Sequence, residues 1–177
     1  MATTTTTATV ATPAADQSAL DLGLLIARVA IGLTMAGHGA QKLFGWFDGG
    51  GLDGTGRFFE SSGYPAGKTM AVIAGLSEFL GGLGLAVGLL TPLAAAAILG
   101  VMINAIAVKG TGEFFGGKGI ELDVVLAASA AGLALTGPGR IAVDHLLPGL
   151  RHQRLTYGIA ALVLAAVTAG VVLLIRG

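Results

Sequence analysis

The sequence predicts an all-α, polytopic membrane bundle, and three observations carry that prediction. Hydrophobic residues make up 54% of the 177 and charged residues only 11%, with a mean hydropathy of +0.82, far above that of a soluble domain. The apolar residues gather into five runs near the length a bilayer demands, roughly 17–25 residues. Thirty glycines are scattered through those runs without a period of three, as small contact residues between membrane helices are. Formal net charge is zero, so no basic footprint points to nucleic acid. There is no cysteine, which excludes a thiol relay, an iron–sulfur cluster held by this chain, and thiolate-bound zinc or haem. Redox chemistry would have to use a borrowed cofactor.

Residues 1–18 carry no Lys or Arg and no apolar centre; they fail as a signal peptide and read as a disordered Thr/Ala tail. The first span runs from about Ala19 to Phe44 and the second from about Lys68 to Leu90. Between the second and third runs, GLLTPL offers Thr91 as N-cap and Pro92 at the first helical position, where its missing N–H costs nothing. The third run, about Leu93 to Val108, and the fourth, about Glu121 to Thr136, are shorter and suit extension into loops or a locally thin bilayer. TGPGR stops the fourth. IAVDHLLPGLRHQR then reads as a polar connection with one interfacial turn, before a fifth span from about Leu155 to Ile175.

This order puts loops one and three and the C-terminus on one side, with Lys42, Arg57, Lys68, Lys109, Lys118 and Arg176, and leaves Arg140, Arg151 and Arg154 on the other. A count of positive charge places the first side in the cytoplasm, whereas the compact cluster of residues 140–154 suits the cytoplasm too. GTGRFF, Gly54 to Phe59, is echoed by GTGEFF, Gly110 to Phe115, on the same side. The echo suggests two helix-pair repeats about an axis along the membrane normal, against chance in a glycine-rich chain.

Ionisable groups in hydrocarbon are costly unless paired or facing a wet cavity. Arg28, His38, Glu78 and Asn104 fall inside the apolar runs. His38, Gln41 and Lys42 lie at i, i+3 and i+4, on one helical face. Glu78 has Gly81 and Gly82 at the same spacings, so a neighbouring backbone can come close to that carboxylate. One reading makes His38, Gln41, Lys42 and Glu78 the lining of a polar cavity roofed by the two GTGxFF loops, suited to a small anion or a quinone head group. The other makes them a buried pair that sets helix register, Arg28 or Lys42 with Glu78. Arg28, about 15 Å along the axis from His38, stands apart from that cluster.

Asn104 reads as a ligand-binding residue or as an interhelical hydrogen-bonding group. Glu121 and Asp123 suit the start of the fourth run by capping; alternatively Glu121 faces the cavity and Asp123 meets water. Phe58, Phe59, Phe114 and Phe115, with Trp46, read as an interfacial aromatic belt or as a stacking surface for a ring. SSGYPAGKT imitates a phosphate-binding loop, but Ser62 replaces its first glycine and no strand precedes it, so it is a turn. With His38 the only histidine in a span, a bis-histidine haem is not expected, and no metal site is expected either.

HGAQKLFGWFDGGGLDGTGRFFE, AGLSEFLGGLGLAVGLLTPLAA, GEFFGGKGIELD and LALTGPGRIAVDHLL together resemble the DoxX family of small integral membrane proteins, over roughly residues 22–147. The resemblance implies a four-helix membrane domain over 19–147, with 148–177 adding a basic connection and the fifth helix. Signature positions carried over include His38, Gln41, Lys42, Glu78, Thr91, Pro92, Glu121 and Asp144, with a loop signature of Gly54, Phe58, Phe59, Phe114, Phe115 and Gly117. It also implies membrane-associated redox chemistry, a quinone cofactor held non-covalently and a redox partner protein, in a multi-pass protein of the cell membrane able to form a homo-oligomer. The fifth span departs from the common pattern and puts any borrowed interface in doubt. A solute transporter and a ligand-free scaffold remain the competing functions.

Overall fold

The computed structural model describes residues 16–117, 119–150 and 154–177. Among them every regular element is helical: α1 Gln17–Phe44, α2 Gly51–Ser61, α3 Gly67–Val87, α4 Thr91–Lys109, α5 Glu121–Thr136, the short α6 Val143–Leu146 and α7 Leu155–Leu174. The helix α1 begins at Gln17, two residues inside the stretch read as a tail, because the Asp16 side chain accepts a hydrogen bond from Ser18 N at 2.9 Å and caps it. Residues 1–15 of the expected tail lie outside the described residues.

Four helices, α1, α3, α4 and α7, are long and apolar enough to cross a membrane. Helix α5, at 16 residues, is shorter. The surface is apolar and the interior holds charge: Ile26 and Leu80 are 62% and 60% exposed, whereas Arg28 and Glu78 are 1% and 2% exposed. That inversion fits a solvent of lipid tails outside and paired polar groups within. The chain is therefore an integral membrane protein with several spans.

Helix α1 packs along α3 backbone to backbone. A Cβ on Gly32 would lie 2.5 Å from the Gly82 carbonyl oxygen and 2.6 Å from Ala86 N, and one on Gly39 would collide with the Phe79 backbone. The glycines thus do what their scatter predicts, letting two spans touch where lipid tails give no hydrophobic drive for association. Helix α3 continues against α4, α4 against α5, and α5 reaches back to α1, while α7 lies on α4 and α5. Met35, Leu85, Ile98, Leu126, Ala130 and Ala165 fill the core between them.

At one end, Arg140 Nε meets Asp21 Oδ2 at 2.6 Å, and the Arg28 guanidinium donates to the Ile141 carbonyl. Asp144, on α6, clasps the α3–α4 hairpin: it accepts from Leu90 N at 2.7 Å, Thr91 N at 2.9 Å and Thr91 Oγ1 at 2.8 Å. The expectation that Thr91 caps α4 is corrected here. The hairpin turns through left-handed Gly88 and Leu90, so Thr91 is already helical and the cap arrives from a carboxylate 53 residues away. At the opposite end, Arg176 Nε donates to Ser62 O at 2.8 Å and Gly177 N to Gly63 O at 2.9 Å. Loops one and three share that end, as Lys109 of α4 meets Asp123 of α5.

The stretch expected as a glycine-rich loop contains α2. Its glycines oppose helix locally, but Gly56 packs against Lys68 at the start of α3 and Asp53 in its first turn pairs with Lys68 at 2.7 Å, so tertiary packing overrides propensity. The echo does not repeat in structure. Gly54–Phe59 is helical, while Gly110–Phe115 is irregular.

Candidate functional site

A cavity of about 600 Å³ opens among α1, α2, α3, α4, α5 and α7 toward the end that carries loops one and three. Its walls are mostly apolar, and its polar groups are His38 and Lys42 from α1, Ser77 and Glu78 from α3, Asn104 and Lys109 from α4, Asp123 from α5, Thr168 from α7 and the intervening Tyr64. Ile73, Leu93 and Leu164 line it and are also exposed, so the cavity communicates sideways with the lipid-facing surface.

Two ion pairs set its electrostatics. Lys42 Nζ lies 2.7 Å from Glu78 Oε2, and Lys109 Nζ lies 2.6 Å from Asp123 Oδ2. Glu78 is deep in α3, one turn before the Gly82 contact with α1, and that close approach lets Lys42 reach it. The pair of Lys42 with Glu78 ties α1 to α3, as the register-pair reading expects, and the same two residues line the cavity. Arg28 sits at the other end, apart from this cluster.

His38 is held through its Nδ1, 3.1 Å from Gln41 Oε1. Gln41 lies beside the cavity and donates from Nε2 to Phe47 O at 3.2 Å. The turn that delivers this carbonyl is unusual: Gly45 ends α1 in the left-handed region, Phe47 and Asp48 follow at φ 54° and 59°, and Gly49 N closes back on Trp46 O at 3.0 Å. Non-glycine residues rarely adopt that conformation. Gly49 must be glycine, because a Cβ there would lie 2.6 Å from the Gln41 Cα. The opening motif HGAQKLFGWFDGGG is therefore a device that folds the chain back onto Gln41.

Asn104 stands at the cavity and makes the interhelical hydrogen bond read for it. It lines the cavity, accepts from Tyr64 OH at 3.2 Å, and donates to Gly100 O at 3.0 Å and across to Ala169 O of α7 at 3.5 Å. Burial pushes the Tyr64 phenol up, so it stays a protonated donor at neutral pH. The alternative that put Glu121 at the cavity and Asp123 in water does not hold: Asp123 is buried at the cavity and paired, whereas Glu121 is half-buried, does not line it and keeps its Oε2 buried. Positions i and i+2 diverge on a helix, and it is Asp123 that meets Lys109 at the cavity.

Phe58 and Phe59 line the cavity from α2, but Phe114 and Phe115 do not; their rings meet edge to face with centroids 4.8 Å apart and are exposed. The expected two-loop roof reduces to one, and Phe114 and Phe115 keep the belt reading. Gly54 and Gly117 make no part of the lining. Lys109, Asp123 and Tyr64 belong to the cavity although none was singled out as a ligand group. Lys109, at i+5 from Asn104, falls about 140° round the helix, so spacing gave no signal for it.

Residues 23–109 match the family model described as DoxX. The chain belongs to the DoxX family. No curated protein and no solved structure matches it. The DoxX match takes in α3, α4 and nearly all of α1, and so includes His38, Gln41, Lys42, Glu78 and Asn104. It stops before α5, short of the span to residue 147 over which the resemblance extends.

Proposed function

We propose that this DoxX protein is the membrane subunit of a redox complex of the cell membrane, and that its cavity binds a quinone head group without a covalent bond. The observation that carries the reading is the cavity's charge balance. Among the described residues that line it, two lysines each lie within 2.7 Å of a carboxylate, so a bound small anion would have to displace a paired carboxylate. A neutral, ring-bearing ligand needs no such exchange. The ammonium groups of Lys42 and Lys109 keep N–H donors beyond those on their carboxylates for ring oxygens, His38 and Tyr64 can accept from ring hydroxyls, and the apolar flank along Leu93, Ala97 and Leu164 suits an attached chain. A quinone fits these residues. The chemistry it would supply is two-electron redox exchange, while the protein orients the ring and excludes water. With no cysteine in the chain, electrons pass to and from a partner protein.

In this reading α5 is also a span: it runs from the Lys109 end to the Asp21 end, with its shortness accommodated by local thinning of the bilayer. The four helices α1, α3, α4 and α5 then form the core, and α7 is the added fifth. The different folds of the two GTGxFF segments remove one of the two grounds for transport, leaving the charged group near mid-span. Purification from native membranes, followed by mass spectrometry of co-eluting quinones and proteins, tests the proposal. Enriched quinone that disappears in His38→Ala and Glu78→Gln proteins of normal fold supports it. Absence of quinone from the wild-type preparation, with quinone-linked respiration unchanged in both variants, ends it.

A further inference from the structure

The hydrogen-bond chain Phe47–Gln41–His38 determines which nitrogen of His38 carries its proton. A backbone carbonyl only accepts, so the Gln41 atom facing Phe47 O must be the NH₂ group. The remaining Gln41 atom, facing the imidazole, is then the carbonyl oxygen, which also only accepts. In the neutral ring Nδ1 must therefore be the N–H, and Nε2 must hold the lone pair. This assignment does not depend on labelling of the amide, because the reversed amide would set oxygen against oxygen at Phe47 and leave the ring no acceptor on Gln41.

We infer that His38 presents Nε2 to the cavity as a hydrogen-bond acceptor, with Gln41 as the positioning residue, and that the site thereby favours a ligand carrying an acidic O–H, the reduced quinol, over the oxidised quinone. This rests on the quinone reading above for its ligand and on geometry alone for its tautomer. A quinol hydroxyl donates to Nε2. A quinone oxygen only accepts, and at this position it would face a lone pair. The groups that face the ring are Lys42 on its own helix, Glu78 on α3, Lys109 on α4 and Asp123 on α5. They pair off among themselves, so none of them is required to supply or remove the ring's proton. The strained Phe47–Asp48 turn and the cramped Gly49 have their purpose here, since they bring to Gln41 the one carbonyl that fixes its orientation.

The test uses the full chain in lipid nanodiscs with ¹⁵N-labelled histidine, at about pH 8 so that an imidazole with an ordinary pKa near 6.5 is neutral. Assignment by comparison with a His38→Phe protein isolates this ring from His145 and His152. Wild type is expected to show His38 protonated at Nδ1. Gln41→Glu keeps an acceptor for Nδ1–H while breaking the contact with Phe47 O, so it should retain that tautomer with a loosened turn, and Gln41→Leu should lose it. In parallel, equilibrium binding of a short-chain quinol and the matching quinone is expected to show a preference for the quinol that falls about tenfold in Gln41→Leu, the size of one hydrogen bond to a buried group. Nε2 protonation in wild type, or a tautomer indifferent to Gln41→Leu, overturns the inference even if quinones bind. Nδ1 protonation without binding of either form overturns the quinone reading and leaves the ring assignment standing. Equal binding of quinol and quinone by wild type overturns the claimed preference.

Discussion

Asp144→Ala probes the clasp between α6 and the α3–α4 hairpin. The carboxylate accepts three hydrogen bonds, from Leu90 N, Thr91 N and Thr91 Oγ1, at 2.7, 2.9 and 2.8 Å, and Asp144 is 2% exposed. A hydrogen bond to a charged group contributes roughly 1.5–3 kcal/mol, but three that share one carboxylate do not add, so the whole set is worth about 3 kcal/mol. Burial keeps water from replacing the lost acceptor. Asp144→Asn retains one oxygen and should cost about half as much, roughly 1.5 kcal/mol, while Thr91→Val removes only the hydroxyl and should cost about 1 kcal/mol. The assay is reversible unfolding in mixed micelles, followed by loss of helicity. In the Asp144→Ala background Thr91→Val should add almost nothing, a coupling of about 1 kcal/mol. If Asp144→Ala costs less than about 0.5 kcal/mol, the range of an ordinary surface change, the clasp is not a stabilising element.

Three further outcomes are expected. Glu78→Gln strands Lys42 beside a neutral group and should cost about 3 kcal/mol, low in the range for a broken buried pair because Lys42 is 27% exposed; Lys42→Met combined with Glu78→Leu should recover most of that loss, and failure to recover it would mean the carboxylate has partners beyond the lysine. Gly82→Ala should destabilise by about 2 kcal/mol by prising α1 from α3, whereas Gly132→Ala, which meets nothing within 4 Å, should be neutral or stabilise by about 0.5 kcal/mol; equal effects in the same unfolding assay would contradict the packing described for α1 and α3. Tyr64→Phe should release the Asn104 side chain at a cost of about 1 kcal/mol, and because the phenol is shifted upward by burial, titration of wild type from pH 6 to about pH 9 should not reproduce that loss.

The long spans were legible because length and apolarity suffice to define them, and their ends moved by only a few residues. Helix α2 was not, since its three glycines argue locally for a loop and only packing on α3 makes it helical. The pairing of Lys42 with Glu78 could be named from the cost of an isolated charge in oil, and the His38–Gln41 contact from i, i+3 spacing. Spacing also said that Glu121 and Asp123 face apart, but not which of them meets the cavity; Asp123 does so beside Lys109, fourteen residues away and on another helix. The cap of α4 illustrates the limit of local reading. Thr-Pro after a turn is a sound start signal, yet the acceptor comes from a residue that no short-range pattern connects to it.

The bare contact between α1 and α3 also bears on motion. Where Gly32, Gly39 and Gly82 bring the two main chains together, no side chain lies between them to change rotamer, so sliding one helix past the other would drive carbonyl oxygens into neighbouring backbone, and the Lys42–Glu78 pair fastens the same two helices. They behave as a single stiff plank, and breathing that admits a guest comes more easily from the opposite wall, where α7 leans on α4 through alanines and an Asn104–Ala169 hydrogen bond.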